Sequence, residues 1–330
     1  MKRRSFIKLT AISSAGMVLP IKLDLLADDH QTLKPLTLIT PNDQFYILQI
    51  DKPAKIEEKN WRLAVTGMIE KMVPPFTLAT IKNMESVETM RTLKCIGDPI
   101  GTEQMSNAMW KGVRLKDLLD KVGIKDGVKV VVFVCADGYH TAIPLEDAIQ
   151  EDTILAYEMN GVPLPVEHGF PIRLLNPGHY GTKNPKWIVN IQLATKHESY
   201  WEKRGWDPIA NIKLATVIGT PAPDQEIVAG SEYIVSGAAF DGGHHGGIKL
   251  IEVSIDYGET WHEAEIWAKD TPLAWVLWKW TWNVPKDIGP IEIYARATTY
   301  SGITQDEIGI TAEPVDAIGY HTIDAKIIEP

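Results

Sequence analysis

The stretch Ile251-Glu252-Val253-Ser254-Ile255-Asp256-Tyr257-Gly258 alternates apolar and polar side chains and ends in a Tyr-Gly turn. A period of two is typical of a β-strand with one buried and one exposed face. Residues 276–282 place one Val and three Trp on a single face, and residues 291–297 repeat the alternation with Ile and Ala. Turn sequences at Asp241-Gly242 and Tyr300-Ser301-Gly302 separate such strands. The pattern predicts an immunoglobulin-like β-sandwich over residues 213–330, with the Trp residues in its core.

The preceding region, residues 36–209, has a different pattern. Short apolar strands alternate there with helical segments and loops rich in Gly and Pro, which predicts a mixed α+β domain. Residues 115–122 place Leu and Val at helical spacing and stop at Gly123, and Lys129–Cys135 is typical of a buried strand. A chain of 330 residues exceeds the size at which one core usually stops growing, so two domains are expected.

Composition excludes several functions. The chain carries 33 Lys and Arg against 43 Asp and Glu, a net charge of -10 that repels nucleic acid and anionic lipid. Two cysteines are too few for a disulfide framework. The sequence lacks Gly-x-Gly-x-x-Gly, Walker and Gly-x-Ser-x-Gly motifs, so classical nucleotide-binding and serine hydrolase functions lose support.

The N-terminus carries an export motif. Lys2-Arg3-Arg4-Ser5-Phe6-Ile7-Lys8 precedes an uncharged run from Leu9 to Ile21, which predicts a Tat signal over residues 1–27 and a periplasmic location. The run contains Pro20 and is shorter than the roughly 20 apolar residues that cross a bilayer, so no stable membrane span is expected.

Two places carry chemistry in the first domain. Cys95 lies at the end of a strand, where it meets a loop with Gly and Pro, and a thiolate there suits a soft or high-valent metal. A single such cysteine is also consistent with an inert buried thiol. Cys135, which lies within an apolar run, fits that description better than Cys95.

The second place is the loop-rich segment 160–187, in which His, Arg and Lys lie among glycines. Its cations and backbone amides could converge on an anion such as a phosphate. Alternatively, the segment could be a solvated surface loop with scattered charge. His168 and His179 have no partner at metal-ligand spacing, so no zinc site is predicted.

Taken together, these motifs resemble the sulfite oxidase family of molybdopterin enzymes. The resemblance extends from about Pro41 to the C-terminus and rests on motifs in the family order: Cys95, Asn107–Leu119, Asp137–Tyr139, Leu155–Gly161, His168–Arg173, Lys186-Trp187 and Tyr200–Glu202. It implies a molybdopterin-binding catalytic domain over residues 36–209 and a dimerisation domain, hence a possible homodimer, over residues 213–330.

The resemblance also implies roles for individual residues. Cys95 would ligate molybdenum in a molybdenum-molybdopterin cofactor. The residues that would hold the pterin and its phosphate are Asn42, Phe45, Tyr46, Asp137, His168, Arg173, Asn184, Pro185 and Lys186. Trp206 would replace the family's active-site Tyr. By adjacency in the sequence alone, and not from the resemblance, Trp206, Tyr180 and Asp98 are expected to line the substrate side.

Departures from the family pattern bear on the substrate. Sulfite-oxidising members have arginines where this chain has Leu48, Pro99 and Ile318. A dianionic oxyanion needs fixed cations to offset its desolvation, so sulfite is not the expected substrate.

The expected function is that of a periplasmic molybdenum oxidoreductase that transfers an oxygen atom or two electrons to or from a small molecule. No haem-attachment or flavin motif is present, so a separate electron-transfer protein, such as a cytochrome, is expected. Two alternatives stay open: a sulfite dehydrogenase with an unusual pocket, and a secreted binding module that has lost its metal.

Overall fold

The structure is a computed structural model that describes residues 36–98, 101, 104–306 and 318–330. The predicted signal, residues 1–27, lies outside the described residues, as do Pro99 and residues 307–317. The described helices are α1 (Leu78–Lys82), α2 (Leu115–Val122) and α3 (Leu145–Ala148). None of the helices in the described part of the chain is long and apolar enough to cross a membrane.

Nine strands precede residue 195 in the described chain. They are β1 (Ala64–Gly67), β2 (Ser86–Lys94), β3 (Met105–Arg114), β4 (Val130–Cys135), β5 (His140–Pro144), β6 (Ile154–Met159), β7 (Val162–Pro163), β8 (Arg173–Leu175) and β9 (Ile188–Ala194). One sheet has the order β1-β9-β4-β5, with β1 parallel to β9. A second has the order β2-β3-β6-β7, and β8 also pairs with β6.

The remaining described strands follow Leu214. They are β10 (Ala215–Thr220), β11 (Gln225–Val228), β12 (Glu232–Phe240), β13 (Ile248–Ser254), β14 (His262–Ala268), β15 (Val276–Asn283), β16 (Gly289–Thr299) and β17 (His321–Ile328). Their order is β10-β12-β15-β14-β13-β16-β17-β11. Strand β10 at one end contacts β16 and β17, so the sheet folds over its own apolar core.

The expected mixed α+β class is only partly right, because the protein is mostly β, with 43% strand and 10% helix. The helices of the first region have only four to eight residues. The individual patterns were nevertheless informative. The predicted helix is α2, its Leu and Val side chains are fully buried, and Gly123 ends it with a φ of 67°.

The period-two stretches form strands as predicted. Val253 on β13 and Ile293 and Ala295 on β16 are completely buried, and Trp278 lies at the centre of the same core. Trp280 is only partly buried and stacks on His262 at 5.1 Å. The Trp row is therefore largely core, because burial of these rings removes large apolar areas from water.

Candidate functional site

A cleft brings together most of the predicted site residues. Nine of the residues that the sequence singled out line it: Phe45, Tyr46, Cys95, Asp137, His168, Arg173, Asn184, Pro185 and Lys186. They come from four separate parts of the chain, and the ends of β2 and β4 and the start of β8 converge there.

Cys95 lies one residue beyond the end of β2. Its backbone N–H donates to the carbonyl of Gln104 at 3.0 Å, which continues the pairing of β2 with β3. The residue is 5% exposed, and it contributes to the cleft wall. The strand thus delivers a buried thiol to the cleft, as the ligand role requires.

Arg173 is a buried cation at the start of β8. Its Nη1 donates to the carbonyl of His168 and its Nη2 to that of Asn184, both at 3.2 Å, and the guanidinium lies 5.1 Å from the centre of the Trp110 ring. Burial lowers the pKa of Arg173 to about 10, so the group stays charged at neutral pH. Its Nε is buried without a hydrogen-bond partner.

Lys186 is the second cation of the cleft. Its Nζ donates to the carbonyl of Glu167 at 2.7 Å and to Oε1 of Gln49 at 3.3 Å. Burial and, secondarily, the charge of Arg173 lower the pKa of Lys186 to about 7. The two cations therefore repel each other at a place where an anion would stabilise both.

His168 is oriented by the backbone. Its Nε2 lies 2.8 Å from the carbonyl oxygen of Asn42, and because a carbonyl only accepts, Nε2 carries the proton and Nδ1 is left as an acceptor. The ring also packs edge-on against Phe45 at 5.4 Å. Asn42 does not line the cleft itself, but its carbonyl positions His168 and its side chain accepts from Asn160 at 2.7 Å.

Asp137 and Asn184 complete the polar wall. Oδ1 of Asp137 accepts from the backbone N–H of Tyr139 at 3.0 Å, and burial raises the pKa of this carboxyl. Nδ2 of Asn184 donates to the carbonyls of His179 and Tyr180 at 3.0 and 2.9 Å, so the side chain fixes its own loop. Asp137 is the one carboxylate among the residues described as lining the cleft, against the cations Arg173 and Lys186.

Tyr180, Trp206 and Asp98 are not part of the described cleft wall. Tyr180 is fully buried in an apolar cluster with Ile96 and Trp275, and its hydroxyl accepts from the backbone N–H of Lys213 at 3.1 Å. Trp206 is half-buried and packs against Trp201 at 5.2 Å.

Sequence reasoning missed several lining residues, including Gln49, Tyr139, Thr182, Trp187 and Trp201. Tyr139, Trp187 and Trp201 each lie within one of the family motifs, so those motifs were the available signal. Leu48, one of the departures, lies on the cleft wall and is 54% exposed. Ile318 is partly buried, whereas Pro99 lies outside the described residues.

Comparison with known proteins gives the class. Residues 49–201 match the model of the oxidoreductase molybdopterin binding domain, and residues 207–313 match that of the Mo-co oxidoreductase dimerisation domain. These are the two domains of the molybdopterin-dependent oxidoreductases. The chain belongs to the sulfite oxidase family of these enzymes, and its cofactor is the molybdenum cofactor.

Relatives differ in their reactions. The chain is 29% identical to the mitochondrial sulfite oxidase of Drosophila melanogaster, over 88% of this chain and 59% of the relative. It is 28% identical to the NADH nitrate reductase of Ulva prolifera, over 82% of this chain and 38% of the relative. The chain therefore spans little more than half, or less, of the length of these relatives.

A solved structure shares the fold. The sulfane dehydrogenase SoxCD from Paracoccus pantotrophus superposes with a TM-score of 0.77 at 23% identity, covering 86% of this chain and 80% of that chain. At this identity the likeness concerns the fold alone.

The residues of the cleft fit the cofactor. Nε of Arg173 and Oγ1 of Thr182 are buried without a partner, and Lys186 is largely desolvated. A phosphate would accept hydrogen bonds from such groups and neutralise the repulsion between the cations. Cys95, on the wall of the same cleft, offers a sulfur donor of the type that molybdenum takes.

Proposed function

We propose that this protein is an exported oxidoreductase that transfers an oxygen atom or two electrons at a molybdenum held by Cys95, with a substrate other than sulfite. The observation that carries the proposal is the composition of the cleft, which joins the thiol and a phosphate-binding pair of cations but has Leu48 on its wall. The molybdenum cofactor supplies the redox centre for such a transfer when bound.

The chain's own residues divide the remaining work. The thiolate of Cys95 would bind the metal, and Arg173 and Lys186 would hold the phosphate. Asn184 and His168 are fixed by backbone contacts, so they would orient the pterin without reorganisation. Phe45 stacks on Tyr46 at 5.5 Å and would cover the pterin on an apolar side.

Other parts of the proposal rest on the family and the sequence. We interpret the C-terminal sheet as an immunoglobulin-like sandwich through which two copies pair, in line with the dimerisation domain matched there. A separate electron-transfer protein would exchange electrons with the cofactor. Export rests on the twin-arginine motif, in a segment that the structure does not describe.

The test is steady-state turnover of sulfite with an artificial electron acceptor, on protein shown to contain molybdenum. Each charge-assisted hydrogen bond to a buried oxyanion contributes roughly 1.5–3 kcal/mol, so three missing arginines would remove on the order of 5–9 kcal/mol if additive. That corresponds to about four to six decades in catalytic efficiency, less in practice because neighbouring cations are coupled. We expect sulfite turnover several orders of magnitude below that of a sulfite oxidase.

Two results would change the conclusion. Efficient turnover at micromolar sulfite would favour the alternative of a sulfite dehydrogenase with a differently built pocket. Metal-free protein from a host that makes the cofactor would favour a secreted binding module.

A further inference from the structure

A second cleft, of about 610 Å³, lies where the C-terminal sheet meets the first region. Its walls are α3 and the loop after it, the loop 176–179 that follows β8, and the turn 242–244 between β12 and β13. Nothing in the proposed oxidoreductase reaction uses this cleft. Its described wall includes Asp147, Asn176 and His179, which all offer lone pairs.

The tautomer of His179 is set by its backbone contact. Its Nδ1 lies 2.7 Å from the carbonyl oxygen of Pro177, and since the carbonyl only accepts, Nδ1 carries the proton. In the neutral ring Nε2 is then a lone pair, and it faces Oδ2 of Asp147 at 3.6 Å. Two acceptors thus face each other, at a distance too long for a hydrogen bond.

Asn176 supplies an independent observation. The residue is 3% exposed and lines this cleft, yet neither Oδ1 nor Nδ2 of its side chain has a hydrogen-bond partner. A buried amide without partners is costly, and in native proteins it indicates a bound water, ion or ligand. Its backbone N–H, by contrast, donates to Oδ1 of Asn184 at 2.7 Å.

We propose that a tetrahedral divalent metal ion, of which zinc is the best match, binds between Nε2 of His179 and Oδ2 of Asp147, with the Asn176 amide oxygen as third protein ligand. Donors about 2.1 Å from a tetrahedral zinc lie about 3.4 Å apart, close to the observed separation. A ligating His usually donates its other ring N–H to a carbonyl or carboxylate, as His179 does. Water would complete the coordination, since the cleft is open to solvent.

A metal explains this arrangement better than a proton. A proton shared between Nε2 of His179 and Oδ2 of Asp147 would draw these atoms to hydrogen-bond distance, below about 3.2 Å, whereas they lie 3.6 Å apart. No three His, Cys, Asp or Glu side chains form a metal cluster in the described residues, so the third ligand must be of another type. The unpartnered amide of Asn176 is that ligand.

The site would stabilise the loop that reaches the cofactor cleft. Asn184, which lines that cleft, is bonded to both Asn176 and His179. A metal that ties this loop to α3 would therefore hold Asn184 in position. The ion would be structural and separate from the molybdenum.

The experiment is zinc titration of the untagged, molybdenum-loaded full chain against a competing chelator, with cobalt substitution to report tetrahedral geometry by its visible spectrum. We expect one equivalent to bind. His179→Asn keeps a donor near Pro177 but removes Nε2, and Asp147→Asn removes the charge, so each should weaken binding at least tenfold. His197→Gln is the control, because His140 and His197 form another imidazole pair, at 2.9 Å.

The outcomes separate clearly. Unchanged zinc affinity in both His179→Asn and Asp147→Asn, or loss of binding in His197→Gln, would overturn the proposal, as would absence of stoichiometric binding. If His179→Asn fails to fold, Asp147→Asn decides alone. Molybdenum content is measured in parallel, so failure of this site is distinguishable from failure of the oxidoreductase assignment.

Discussion

Cys95 and Cys135 are both found where a strand ends, and they are almost equally buried, at 5% and 4% exposure. Cys95 follows β2 and lines the cofactor cleft. Cys135 is the last residue of β4 and packs in the main apolar core with Phe133 and Ile188. Burial and strand position therefore do not distinguish a metal ligand from an inert thiol. What distinguishes them is whether the side chain faces the cleft or the apolar core.

Burial and nearby charge both act on the thiol of Cys135. Burial raises the pKa of Cys135 well above its ordinary value, and the charge of Asp137 raises it further while that of Lys186 lowers it. Asp137 and Lys186 both line the cleft, so Cys135 lies just behind its wall. A thiol held neutral in this way is a poor metal ligand, because metals bind the thiolate.

The largest expected effect is that of Cys95→Ser. A hydroxyl is a harder and less covalent donor than a thiolate, so turnover with an artificial acceptor should fall at least a hundredfold while the pterin stays bound. Turnover and pterin content of the purified variant measure both. Full activity in this variant would show that Cys95 and Cys135 do not differ in role, and it would contradict the assignment of the protein as an enzyme.

Arg173→Gln should have the next largest effect. It removes the buried charge that we assign to the phosphate and leaves the carbonyls of His168 and Asn184 with weaker partners. We expect molybdopterin content to fall at least tenfold by fluorescence of the extracted pterin. Arg296→Gln, which breaks an ion pair with Glu252 on the C-terminal sheet, is the matched control and should retain the cofactor.

Cys135→Ser makes the same substitution behind the cleft wall. The buried hydroxyl should reduce the free energy of unfolding by about 1–3 kcal/mol, measured by urea denaturation. Cofactor content and turnover should change less than twofold. A loss of turnover comparable to that of Cys95→Ser would show that position relative to the cleft is not what separates the two thiols.

The smallest effect concerns Lys186 and pH. Its pKa is about 7 in the folded chain, against about 10.4 when unfolded, so the unfolded chain binds more protons between these values. The cofactor-free protein should therefore become more stable as pH rises from 7 towards 10. Lys186→Met should flatten this rise in urea midpoints at pH 7 and 9, whereas Lys121→Met, at an exposed position of α2, should not. Equal pH dependence in wild type and Lys186→Met would contradict the burial of this charge.

Local patterns anticipated much of the fold. The period of two around Val253 and the helical spacing that ends at Gly123 each encode a local structure, because burial on one face imposes its own period on the sequence. The fold class of the first region was harder to predict from the sequence, because short helices and short strands give similar apolar runs. Its low helix content became clear only from how the strands pair.

The sequence by itself determined which side chains were available to hold the cofactor: a thiol at Cys95, the cations Arg173 and Lys186, and the His168 that the family motif carries. Tertiary structure alone decided that Tyr180 is buried away from the cleft, that Trp201 lines it, and that His179 faces Asp147 from 32 residues away in the chain. The physical reason is that local periodicity depends on near neighbours, whereas convergence of side chains depends on strand pairing between distant segments, which no short motif encodes.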